Sequence, residues 1–537
     1  MKKFRILAAL LVAAMALSAC SAGNPSAASS SAGTAGSGVS SSQSSGEPAY
    51  GGNITIAASA DPQTFNPLFV VDQTSFDIQQ ALYIPFFEIV KGKLYYGNGL
   101  LESITPSSDS KQYTLKLKQN LKWHDGKPIT ADDIVFTIQT LVDKKQNVPY
   151  QSYGYINDTP VTAKKVDDLT AVIALSTPSG GFLGGLSQVY VIPKHIYYGI
   201  ADIGKSELNN RPVGSGPYKF KEYKPGQEVV LERFDDYWAG KPYLDTLTFK
   251  IIKDANSANA SLASGDIGAR LISSEDYDTV SKTGKVNINS YNSGRVNGMA
   301  LNQNNPALKN VKVRQAISYA LNKEELVNFA YLSKEYAEPA YSIFTPDTQY
   351  YDDSLTHYDN DAEKAKGLLK EVGQENLKLN ILYISTNKVM ESEATYIQEK
   401  LKDVGITLEL YPLDESTYKN KIKETDSKDY DLLLYFYTLG EEPSLYADIA
   451  SSRSRSNYSR IQDPELDALW TKGNASTNDT QRAAAYKEIQ KRINDNAYLY
   501  PIAYSNGFYA VGKEYGGFDK AILKTIYYDY SKIYKIQ

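Results

Sequence analysis

Cysteine occurs once among the 537 residues, and histidine and tryptophan three times each. With Cys20 alone an intramolecular disulfide is impossible, so chemistry at the thiol itself is the more direct reading. His124, His195 and His357 stand far apart, with no His-Glu-x-x-His spacing, so an all-protein metal site lacks its usual ligands. Hydrolase and nucleotide signatures are missing as well. Gly214–Pro217 reads GSGP, without the Gly-x-Ser-x-Gly of a nucleophile elbow. The stretch GGFLGG at 180–185 lacks the Lys and Ser/Thr of a phosphate loop. A net charge of -5 with no basic stripe argues against nucleic acid. The apolar run Ile6–Leu17 is shorter than the roughly 20 residues of a membrane span.

That run is informative for what surrounds it. Lys2, Lys3 and Arg5 precede it and small residues follow, the layout of a secretory signal. The tetrad Leu17-Ser18-Ala19-Cys20 resembles the lipobox of bacterial lipoproteins, in which the cysteine receives a diacylglyceryl thioether and becomes the mature N-terminus. Residues 1–19 are therefore expected to be a lipoprotein signal peptide and Cys20 the lipidated anchor. Residues 20–49, rich in Ser, Ala and Gly, cannot bury enough surface to offset chain entropy, and should form a tether reaching on the order of 30 Å. The folded body then begins near Tyr50 and is long enough for more than one core. Tyrosine is abundant at 43 residues; most serve ordinary surfaces and cores, while some suit a wet cleft that wants an apolar face with a polar tip.

Along the body, Asn53–Ala57 predicts a strand, and SFDIQQALYIPFFEIV a helix running into a strand. Tyr113, Leu115 and Leu117 alternate as a strand, Asp125-Gly126 makes a turn, and Thr130 with Asp133 forms a capping box before a helix faced by Ile134, Val135, Ile138 and Leu141. Gly214 and Gly216 mark places where a side chain would obstruct. Two helices follow in LKNVKVRQAISYALNKEELVNFAYL, the second capped by Asn322 with Glu325 completing the box. Helices stopped by Gly373 and Gly405, each leading into a strand, predict an α/β layer. The apolar run YDLLLYFYTLG then reads as a buried strand that delivers aromatics to its C-terminal end, where ligands gather in such sheets.

Six segments in order, DPQTFNPL, LKWHDGKPITADDIVFTI, PVGSGPYKFKEY, ALKNVKVRQAISYALNKEEL, NDAEKAKGLLKEVG and NYSRIQDPELDALW, resemble the extracellular solute-binding proteins (family 5) of oligopeptide, dipeptide and nickel ABC importers. The resemblance implies an α/β, two-lobed, periplasmic-binding-protein-like clamshell of the large type II, cluster C kind, with an extra subdomain inserted in the first lobe. Its segments would be lobe I at 50–88, the subdomain at 89–212, lobe I again at 213–300, lobe II at 301–508 and a lobe I return at 509–537. WHDGKPITADD is architectural in this reading, and His124 is given no ligand role.

The implied function is capture of oligopeptides or dipeptides between the lobes and delivery to membrane permease subunits. The protein would be a lipid-anchored monomer on the outer face of the cytoplasmic membrane or in a periplasm, without catalytic residue, metal or cofactor. Expected cleft contacts are Ser75 and Phe76 from the first lobe, and Tyr435, Phe436, Tyr437, Thr438, Leu439 and Glu441 from the second. Strand alternation would send about half of 435–439 into the core. In peptide-binding relatives an acid after the aromatic strand pairs with the peptide amine; ungapped alignment on Glu442-Pro443 puts Leu439 there, with Glu441 and Glu442 close by. That departure leaves an oligosaccharide or other polar solute open. Arg453 is a candidate for a solute carboxylate, and Asn302 is a hinge residue or a turn former. A secreted lipoprotein hydrolase is the rival of another class; nickel or haem cargo and a peptide-sensing receptor are further alternatives.

Overall fold

A computed structural model describes residues 48–90, 92–358, 360–424, 426, 428–518 and 529–537. The expected signal peptide, the anchor Cys20 and the linker up to residue 47 lie outside the described residues. Pro48 and Ala49, within the expected linker, pair with Ile536 and Lys535.

Strand β1 (Asn53–Ala58) buries Ile54, Ile56 and Ala58 on one face. Helix α1 (Gln73–Leu82) starts where Asp72 accepts the Ser75 amide hydrogen at 2.9 Å. Next, β2 (Leu101–Pro106), β3 (Gln112–Leu117), β4 (Thr162–Asp167) and β5 (Thr170–Ala174) make an antiparallel sheet in the order β2-β3-β5-β4. Tyr113, Leu115 and Leu117 all point inward, as their alternation predicts. Helix α2 (Ala131–Val142) covers this sheet with Ile134, Ile138 and Leu141, while Val135 is only half-buried. Its capping box forms, with the Thr130 amide donating to Asp133 at 2.9 Å, an arrangement that contributes about 1 kcal/mol. A short helix, α3 (Phe182–Leu186), closes the inserted region.

A larger sheet follows from β6 (Tyr218–Lys224), β7 (Glu228–Arg233), β8 (Thr246–Ile251), β9 (Ala269–Ile272), β10 (Val286–Leu301), β11 (Lys378–Ile384), β12 (Thr407–Leu413), β13 (Leu432–Thr438) and β14 (Leu499–Gly512). Its order is β6-β7-β8-β1-β9-β14-β10-β13-β11-β12, with Ala337–Pro339 also paired to β14. Helices α4 (Ser274–Ser281), α5 (Val311–Tyr319), α6 (Lys323–Tyr331), α7 (Ala362–Glu371), α8 (Lys388–Asp403) and α9 (Asp479–Asp495) pack around it. Gly373 and Gly405, just past α7 and α8, adopt φ of 67° and 89°, the left-handed stop that favours glycine. β11 runs parallel to both β12 and β13, the α/β layer expected from the alternation. One expected detail differs: Asn322 caps α6 through the Glu325 amide at 3.1 Å, but the Glu325 carboxylate turns to the Tyr396 hydroxyl at 2.9 Å and to Lys400 instead of closing the box.

The lobes meet in β10 and β14. Val286–Asn292 pairs with Asn506–Gly512, and Arg295–Ala300 with Leu499–Ser505, with the register slipping between Asn292 and Arg295. Along β14 the side chains alternate between two cores: Tyr509 and Val511 enter the one built around β1, β8 and the inserted sheet, Phe508 and Ala510 the one built around β11 and β13. The register slip that separates the two paired stretches falls between Asn292 and Arg295, opposite Ser505 and Asn506. Asn302 is a turn former: its side-chain amide donates to the Tyr430 carbonyl at 2.8 Å, and its Oδ1 takes the Asn304 amide at 3.0 Å.

The two motifs around His124 and Gly214 explain each other. The His124 amide donates to the Gly214 carbonyl at 2.8 Å, and the Gly214 amide donates back to His124 Nδ1 at 3.1 Å. Nδ1 must then be bare, so Nε2 carries the hydrogen it gives to the Gly216 carbonyl at 3.0 Å. A Cβ on Gly214 would lie 1.9 Å from the Leu82 carbonyl oxygen, which is why glycine stands there. Although His124 keeps some solvent-facing surface, loss of water around the ring pushes its pKa down to about 4, below the ordinary 6.5. Between those values the unfolded chain binds a proton that the folded chain refuses; the stabilisation is complete above about pH 6.5 and is lost as pH falls through about 4. The His124 ring resonances should therefore keep their neutral positions at pH 5 in a nuclear magnetic resonance titration; a midpoint near 6.5 refutes the arrangement.

Candidate functional site

A cavity of about 1250 Å³ opens between the lobes, and its floor is the slip itself. Asn292, Ser293, Gly294 and Arg295 of β10 line it together with Ser505 and Asn506 of β14. Gly294 has φ of 66°, the conformation a bulge in this ladder requires, and Ser293 Oγ ties the bulge to β14 by donating to the Ser505 carbonyl at 2.5 Å.

Alternation along β13 sorts the expected contacts. Phe436, at 44% exposure, and Thr438 face the cavity, whereas Tyr435, at 5%, lies in the core between the rings of Tyr437 and Tyr458. Tyr437 adds an edge to the wall, but its hydroxyl is engaged by the Ile343 carbonyl at 2.7 Å. Leu439 and Glu441 line the cavity, as does Phe76 on α1. Ser75 does not: it is buried, and its Oγ accepts the Gln63 amide at 2.9 Å, which pins the DPQTFNPL segment to α1. Arg453 lies elsewhere, on a separate cavity of about 510 Å³ beside Tyr155, Pro178 and Asp467, so the structure does not bring it to the main cleft.

Several lining groups have no counterpart in the sequence reading. Across the β10–β13 pair, Arg295 sits opposite Thr438 and Asn297 opposite Phe436, so all four share the cavity-facing side of the sheet. The Arg295 guanidinium lies over the Phe436 ring, 3.5 Å from its centroid. Carboxylates come from distant segments: Glu88, Glu275, Asp347 and Glu415 line the wall beside the expected Glu441. Only the Ser-Gly pair inside a long polar strand, Ser293-Gly294, hinted at the bulge that aims Arg295. Behind this wall Glu393 is buried and accepts the Tyr331 hydroxyl at 2.9 Å, and burial pushes its pKa up to about 7. Among the described residues no group of three or more His, Cys, Asp or Glu side chains could hold a metal ion, and no helix is long and apolar enough to cross a membrane.

Comparison with known proteins places this geometry among relatives. Residues 96–460 match the model of the bacterial extracellular solute-binding proteins, family 5. The oligopeptide-binding protein AppA of Bacillus subtilis is 31% identical over 509 residues, covering 89% of this chain and 90% of that protein. The crystal structure of the ABC transporter substrate-binding protein CtaP of Listeria monocytogenes superposes with a TM-score of 0.88 at 42% identity, over 91% of this chain and 100% of that one. The structure of Bacillus subtilis AppA in complex with a nonapeptide superposes with a TM-score of 0.76 at 28% identity, over 91% and 100% of the two chains.

The stretch 180–185 also finds its place at this cleft. Phe182 and Leu186 sink α3 into the first core, while Gly180, Gly181 and Gly184 turn toward the second lobe and Gly185 toward Tyr153. The Gly180 amide donates to the Asn474 carbonyl at 2.7 Å. A Cβ on Gly180 would fall 2.0 Å from the Ser476 carbonyl oxygen, and one on Gly184 would fall 2.1 Å from Glu442 Cγ. Glu442 is held from behind by Arg482 at 2.5 Å, both side chains nearly out of water, and it caps the next turn through the Ser444 amide at 3.1 Å. Two outcomes follow. Glu442→Ala leaves the Arg482 charge buried alone and should destabilise the protein by roughly 3–5 kcal/mol in denaturant unfolding. Gly184→Val should stay wider than the parent by small-angle scattering wherever the parent contracts; equal radii of gyration refute the role of the glycine face in closure.

Proposed function

Because the chain belongs to the bacterial extracellular solute-binding proteins of family 5, we propose that it captures oligopeptides between its lobes and hands them, chemically unaltered, to the permease of an ABC importer. The observation that carries this reading is the cleft itself: one cavity walled by both lobes, floored by the strands that join them, and larger than the roughly 300–1,000 Å³ of small-molecule sites. Its lining suits an extended zwitterionic chain. Asn297 and Thr438 offer polar side chains, Phe436 an apolar face, and the wall carboxylates meet a peptide amine, so the acid missing at Leu439 is supplied from other positions. A solute touching both lobes favours the shut form by its differential contacts, and the permease then reads lobe orientation. A lipid on Cys20 and the Ser/Ala/Gly-rich tether would keep a monomer close to that permease.

A polar solute other than a peptide is favoured by one observation, the apolar Leu439 where peptide-binding relatives are expected to carry an acid. Thermal unfolding separates the two. Peptides of three to nine residues should raise the melting temperature, by linkage of about 2.7 kcal/mol at one hundred times Kd, and mass spectrometry should recover them intact. A rise with oligosaccharides alone overturns the peptide reading, and cleaved peptide overturns transport in favour of hydrolysis. Cys20→Ser should move the protein from the membrane fraction to the soluble one; retention at the membrane refutes the anchor.

A further inference from the structure

We propose that Arg295 is the seat of the solute's C-terminal carboxylate, an inference that rests on the peptide reading above. Two neighbours fix the guanidinium: Nε donates to Asn297 Oδ1 at 3.2 Å, and the flat face lies on Phe436. Asn297 is itself held, its amide donating to Ser505 Oγ at 3.0 Å on the neighbouring strand. Among the described residues neither terminal nitrogen of Arg295 has a hydrogen-bond or ion-pair partner, although the side chain lines the cavity. A guanidinium oriented at Nε and stacked on a ring leaves its two-pronged edge for a planar acceptor, the geometry that suits a carboxylate.

The surroundings narrow the choice. Lys388 is the other basic side chain among the described residues of the lining, and it is paired with Glu391 at 2.8 Å. The remaining charged lining is acidic, and among the described residues no lining carboxylate is within ion-pair distance of Arg295, so a negative group finds there a positive one that the wall leaves to it. Glu393, behind it, feels the guanidinium's charge but makes no ion-pair contact; it is bonded to Tyr331, and burial, which raises its pKa, weakens it as a competitor. A peptide bound in this way has its direction fixed, with the C-terminus at Arg295 and the amine toward the carboxylates. Arg295 directly follows the bulge of β10, so the solute's charge arrives where the lobes are joined.

The test uses a random-sequence pentapeptide pool, prepared either as free acids or as C-terminal amides, titrated into the protein by calorimetry. Free acids should bind the parent about 10- to 150-fold more tightly than amides, the range for hydrogen bonds to a charged group. In Arg295→Gln that ratio should fall to about one, and in Arg295→Lys part of it should return, since the charge remains while the fork is lost. Equal affinity of acids and amides for the parent overturns the inference and leaves the peptide reading standing. An acid preference that survives in Arg295→Gln overturns it as well, as does a uniform loss of both forms with a lowered melting temperature, which marks a structural role only. If neither pool binds the parent, the peptide reading falls and the inference with it.

Discussion

Everything in this structure hangs on the pairing of Val286–Leu301 with Leu499–Gly512. These strands, 16 and 14 residues long, run through both halves of one sheet. A continuous ladder of that length would resist bending, because each step commits backbone hydrogen bonds on both sides. Here it is interrupted twice near mid-length, by the slip between Asn292 and Arg295 and by a shift between Asn297 and Gly298. Ladder bonds are fewest at the slip, and the side chains beside it form the cleft floor. The packing changes along β14 as well: Leu499, Tyr500, Ile502, Ala503 and Tyr504 enter one core, whereas past the slip Phe508 and Ala510 stay with that core and Tyr509 and Val511 enter the other.

The far ends of the lobes meet by different physics. At 180–185 the glycines replace side-chain packing with direct backbone approach, and the surface they approach carries the Glu442–Arg482 pair. Such a pair gains little net stability once desolvation is counted, yet its geometry is unforgiving. It holds the Glu442 stem as a fixed edge against which a short helix can seat. Glu441 extends the same contact by accepting the Gly92 amide at 3.0 Å from the first lobe. Contacts of this size, few and polar, are suited to forming and breaking with the solute and not to permanent association.

Much of the fold is legible in the sequence because local rules set it. Tyr113, Leu115 and Leu117 had to share a face, Gly373 and Gly405 had to end helices, and Thr130 with Asp133 had to start one. The closed loop between His124 and Gly214 was visible only as two separate motifs, since 90 residues lie between the partners. Strand period says that about half of 435–439 turn inward without saying which; the structure turns 435 inward and 436 and 438 outward. It was not legible where distant segments converge. Arg295 gains its place from a bulge that shifts register by tertiary pairing, and Glu88, Glu275, Asp347 and Glu415 reach one wall from four separate parts of the chain. Ser75 misled for a related reason: its neighbour Phe76 does face the cleft, but one step around a helix turns the side chain by about 100°.

The distribution of charge connects floor and closure. Wall carboxylates in an open cleft are screened by water, and so is Arg295; both kinds of charge act weakly on a solute that is still hydrated. As the lobes approach, the local dielectric falls and every charge contact strengthens, favourable or not. A solute that meets an acid at one end and Arg295 at the other gains at both ends during closure, whereas one that meets only acids with its own anionic groups is repelled more as the cleft narrows. On the proposed reading, closure would select as well as enclose. A guanidinium at the slip is well placed for this, because it stands on the strands that both lobes share.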